Sequence, residues 1–95
     1  STGTDAKSLF IYNFYANALR LARESMDRFP KSERNLSWVA MSVSGSTYQK
    51  IIDETREFRK RIMQMASEDA SPDRVYLINI QSFPLSKSLR QEHLS

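Results

Sequence analysis

From Lys7 to Phe29 the apolar residues recur at helical spacing. Projected at about 100° per residue, Phe10, Ile11, Phe14, Tyr15, Ala18, Leu19, Leu21, Ala22, Met26 and Phe29 share one half of the circle. Asn13, Ala16, Asn17, Arg20, Arg23, Glu24 and Asp27 take the other half. The apolar arc spans about half the circumference, wider than the roughly 100° stripe that docks a helix on one surface. One helix is therefore expected to serve two contacts. Pro30 ends it, because proline cannot continue the hydrogen-bond ladder, and "PKSERN" reads as a polar connector.

The period then changes from 3.6 to 2. "LSWVAMSVS" sets Val39, Met41 and Val43 against Trp38, Ala40 and Ser42, which predicts a strand. "SGSTYQK" follows, with Gly45 for a turn and Ser46 three residues before Gln49, the spacing of a capping box. A second helix is expected from Thr47. To about Ala66 it carries Tyr48, Ile51, Ile52, Phe58, Ile62, Met63, Met65 and Ala66 on one arc, with Lys50, Asp53, Glu57, Lys60 and Gln64 opposite. Glu57 and Arg61 stand at i,i+4 in the order that favours pairing. "SEDASPDR" closes this helix, and "VYLINIQSF" predicts a second strand that Pro84 stops. Beyond Pro84 the periodicity fades.

The expected fold class is α/β (α+β): a small two-layer αβαβ domain, with two strands, two amphipathic helices and a right-handed crossover. Residues 1–7 read as a disordered leader, 8–85 as a single domain and 86–95 as a flexible tail. A two-stranded sheet is marginal alone, so dimerisation or a neighbouring domain is expected to extend it. With Val39, Met41, Val43, Ile78 and Ile80 facing the helices, the other sheet face holds Trp38, Ala40, Ser42, Leu77, Asn79, Gln81 and Phe83. Half apolar and half amide, that face suits an interface with another chain or domain, and secondarily a ligand.

Composition narrows the class. At 95 residues, 40% hydrophobic and 26% charged, the chain has the make-up of one small globular domain, a size at which a partner often completes the core. The net charge of +3 is spread along the chain, roughly +2 up to Gly45 and about +1 after it, too even to announce a nucleic-acid surface. There is no cysteine, which excludes disulfides, thiol catalysis and thiolate metal sites and fits a cytoplasmic protein. No apolar run reaches the roughly 18 residues of a membrane span, and no signal-peptide pattern is present.

Little chemistry is offered. The single histidine, His93, lies in the tail, so neither a His-based triad nor a histidine metal site is expected. Asp53 with Glu57, and Glu68 with Asp69 and Asp73, read as solvated, Lys/Arg-paired carboxylates without a metal-loop spacing. Glycine occurs only at Gly3 and Gly45, neither in a phosphate-loop pattern; the Gly45 region reads as helix capping, with a weaker anion-site reading. In "REFRKR" Arg59 falls inside the apolar arc. It either snorkels over the edge of the core or forms an ion pair or a contact with an anionic ligand.

Three stretches carry a family likeness: Glu33, Arg34, Leu36 and Ser37 before the first expected strand, "REFRKRI" from Arg56 to Ile62, and "DRVYLINIQSFPLS" from Asp73 to Ser86. With them, the segment from Phe10 to about Lys87 resembles the C-terminal domain of a bacterial family of predicted winged-helix transcriptional regulators, a domain of unknown function. The resemblance implies a DNA-binding part outside this sequence and a sensing or dimerising role for this one. One departure stands at Tyr15, where the family commonly has histidine, so a role for that imidazole does not carry over.

The expected function is thus a non-enzymatic, cytoplasmic regulatory domain that forms a homodimer, with Phe10, Phe14 and Leu21 in the interface. DNA would be met only through an N-terminal domain, and no cofactor, metal or membrane is expected. The alternative is an effector domain in which Arg59, Asn79 and Gln81 read a polar or anionic small molecule beside Trp38 and Phe83.

Overall fold

The computed structural model of the chain describes residues 2–89, with side chains from Asp5 onward. Two helices dominate: α1 over Thr2–Arg28 and α2 over Gly45–Ser67, separated by one 3-10 turn at Lys31–Glu33. The 3.6-residue periodicity located both, because a helix closes its hydrogen bonds within its own segment. Helix α1 already runs through residues 2–7, the stretch read as a leader. Asp5 in its first turn and Arg28 in its last complement the helix dipole.

The end of α1 is tied off locally. The Phe29 N–H donates to the Ser25 carbonyl at 3.1 Å, and Pro30, at φ −69° and ψ 162°, turns the chain out of helical geometry. The Arg34 guanidinium Nε donates to the Phe29 carbonyl at 2.9 Å, satisfying an acceptor the helix leaves open.

Helix α2 starts two residues earlier than the capping-box spacing suggested. Its cap is Ser44, in extended geometry, whose Oγ accepts from the Thr47 N–H at 3.2 Å. Ser46 instead lies in the first turn, with its hydroxyl 3.1 Å from that of Ser44. At the far end the Glu68 N–H is shared between the Gln64 and Met65 carbonyls, and the Asp69 carboxylate accepts from the Ser71 N–H at 3.0 Å. These bonds close the helix as "SEDASPDR" suggested.

The expected αβαβ domain is not what forms. Among the described residues there is no strand and no sheet: "LSWVAMSVS" and "VYLINIQSF" are irregular chain. The physical reason lies in what each period reports. Alternation states that side chains point to opposite sides, whereas a strand also needs a neighbouring backbone to bond. Side-chain alternation alone does not supply that ladder. The class is therefore all-helical, with long irregular connections.

The chain divides into two compact units, Ser1–Arg34 with Leu77–Ser95, and Asn35–Tyr76. In the first, Ala18 is the one buried residue among those described, at 4% exposure, while Glu24, Ser25, Arg34 and Asn79 are half-buried. In the second, Tyr48, Ile51, Ile52, Thr55 and Ile62 form a half-buried seam along α2. Phe58 and Met65 flank that seam on one side and Met63 on the other, all three exposed. The Thr55 hydroxyl, on the seam, donates back to the Ile51 carbonyl at 3.0 Å.

Candidate functional site

The outstanding feature is apolar surface left in water. On α1 the residues expected to pack are exposed, with Phe10 at 70% and Phe14 at 57%, and Leu21 is exposed as well. Phe14 and Tyr15 meet edge to face, ring centroids 6.2 Å apart at 72°, so the aromatic face is partly ordered by its own members. In the second unit Trp38 is 88% and Val75 96% exposed. Patches beyond a few hundred Å² are uncommon on monomers and mark interaction sites.

The polar positions are, by contrast, locally satisfied. Arg20 pairs with Glu24 at 2.8 Å and also donates to Asn17, holding the polar half of α1 in order. On α2, Asp53 accepts from Arg56 at 3.1 Å and Glu57 from Lys60 at 3.2 Å. Glu57 thus takes Lys60, at i,i+3, in place of the expected Arg61, whose guanidinium stands 6.0 Å from the Phe58 ring centroid. Arg28 sits similarly over Phe29, at 5.7 Å. All these pairs are exposed and individually contribute little.

The ligand candidates separate between units. Arg59 and Trp38 belong to the second unit, and Asn79, Gln81 and Phe83 to the first. Arg59 is exposed and makes no ion pair with the described residues. Gln81 and Phe83 are exposed too, while Asn79 differs: its amide nitrogen is shut off from solvent and has no acceptor. A sealed donor of this kind costs about 1–3 kcal/mol unless something outside the chain accepts from it.

Near Gly45, the Ser44 hydroxyl already occupies the Thr47 N–H, which is ordinary capping. A Cβ at Gly45 would meet nothing within 4 Å, so no close approach requires glycine there. Among the described residues no group of three His, Cys, Asp or Glu side chains could hold a metal ion, and no helix is long and apolar enough to cross a membrane. His93 lies outside the described residues.

The described chain is thus helical, with large apolar side chains exposed along α1 and a half-buried apolar seam along α2. Residues 1–85 match the family described as a domain of unknown function (DUF4423), and the chain belongs to that family. No curated protein and no solved structure matches it.

Proposed function

We propose that this chain is a protein–protein association module: a non-enzymatic, cytoplasmic regulatory domain of a bacterial transcription regulator that homodimerises through the apolar arc of α1. What supports the reading is the exposure of Phe10, Phe14 and Leu21 on the apolar arc of α1. In this reading DNA is met by a winged helix elsewhere in the protein, as the resemblance at "REFRKRI" and "DRVYLINIQSFPLS" implies. Light scattering on the wild type should give a dimer, and Phe14→Asp should shift it toward monomer by at least about tenfold in Kd, since a charge replaces a buried ring. A variant that dimerises as tightly as the wild type would remove α1 from the interface.

Asn79 favours a second reading, in which a small polar molecule bearing a carbonyl or carboxylate accepts from the sealed amide. Titration with acetate and acetamide, followed at the Asn79 side-chain amide by NMR, should then move that signal saturably. An unmoved signal would discard this reading.

A further inference from the structure

Helix α2 carries a charge where its pattern calls for none. The half-buried residues Tyr48, Ile51, Ile52, Thr55 and Ile62 span about 100° of the helix projection, and Arg59 falls within that arc, seven residues after Ile52 and three before Ile62. Its basic neighbours are engaged: Arg56 with Asp53, Lys60 with Glu57, and Arg61 over the Phe58 ring. Arg59 itself pairs with no carboxylate and no ring among the described residues. The carboxylates of α2, on Asp53, Glu54 and Glu57, all lie away from the seam, and both ion pairs set the cation nearer to it than the anion. The seam is therefore bordered by positive charge on its Met63 side, in a helix with five basic and three acidic residues. It is only half-buried, and Phe58, Met63 and Met65 beside it are exposed.

We propose that the α2 seam docks an amphipathic helix of another protein whose apolar face carries one carboxylate, an Asp or Glu, set against Arg59. A helix laid along an i, i+3, i+4, i+7 seam shuts water away from what lies at its centre. Arg59 is then covered with the seam, and a covered guanidinium without a counter-charge is strongly unfavourable. Its planar fork takes a carboxylate in two parallel bonds, which fixes register as well as charge. The described helices of a second copy do not supply that group: Asp5, Glu24 and Asp27 of α1 lie outside its apolar arc, and the α2 seam has no carboxylate of its own. An anionic membrane surface fits less well, because it is drawn by clusters of free cations, whereas Arg56 and Lys60 are already paired. The proposal stands apart from the homodimer reading, since α1 lies in the first unit and α2 in the second.

Fluorescence anisotropy with the full chain tests this, using three labelled amphipathic helical peptides that share a leucine face and differ only at its centre, which is Glu, Gln or Lys. The Glu peptide should bind at least about tenfold more tightly than the Gln peptide, and the Lys peptide most weakly. Arg59→Gln removes the charge from an exposed side chain and should bring the Glu and Gln peptides to within about twofold of each other. Arg59→Lys keeps the charge without the fork and should retain part of the preference. Lys50→Gln, on the opposite face of α2, should leave the preference unchanged. Binding of neither peptide, equal binding of the Glu and Gln peptides by the wild type, or a Glu preference that survives Arg59→Gln overturns the proposal. Phosphatidylglycerol vesicles that bind through Arg59, with no Glu preference among the peptides, overturn it in favour of a lipid surface.

Discussion

Ser44 decides where α2 begins, and its neighbour Ser46 shows why the sequence was ambiguous there. In "SVSGSTYQK" both hydroxyls stand three residues before an acceptable helical position, so spacing alone allows either. The bond from the Thr47 N–H to the Ser44 Oγ resolves it. Ser44→Ala should therefore destabilise the fold by about 1 kcal/mol, and Ser46→Ala by less than half of that, in thermal denaturation followed by circular dichroism. Equal losses would return the cap to Ser46. Asn79 was legible in a different way. An amide inside an apolar run was a visible anomaly, but only the structure distinguishes it from Gln81, which simply faces solvent.

At the scale of elements, the helices were readable and the strands were not, for one physical reason. The apolar arc from Phe10 to Phe29 and the arc from Tyr48 to Ala66 each specify an element that is complete in its own backbone bonds. "LSWVAMSVS" and "VYLINIQSF" have the side-chain alternation of strands, yet no strand forms among the described residues. On α1, Ala18 is the one buried residue among those described. The same amphipathicity makes the polar half a control. Arg20→Ala removes the exposed bonds to Glu24 and Asn17 and should leave association within about twofold, in the light-scattering measurement where Phe14→Asp weakens it. A comparable loss from Arg20→Ala would place the interface on the polar half.

For the whole molecule, the sequence indicated a chain at the size where one core is marginal and a partner often completes it. Ala18 is the one buried residue among those described. In the proposed homodimer association adds burial, so stability and dimer formation should rise together with concentration. Which residues would meet across the proposed dimer was not legible in the sequence, since a hydrophobic arc looks the same whether its own chain or a second copy covers it.

Sedimentation equilibrium of the wild-type chain across a hundredfold range of concentration tests the central claim most directly. The account predicts a particle of twice the 11.0 kDa of one chain, giving way on dilution to unfolded monomer without a folded monomer between them. A folded monomer of 11.0 kDa that persists at the highest concentration would contradict it.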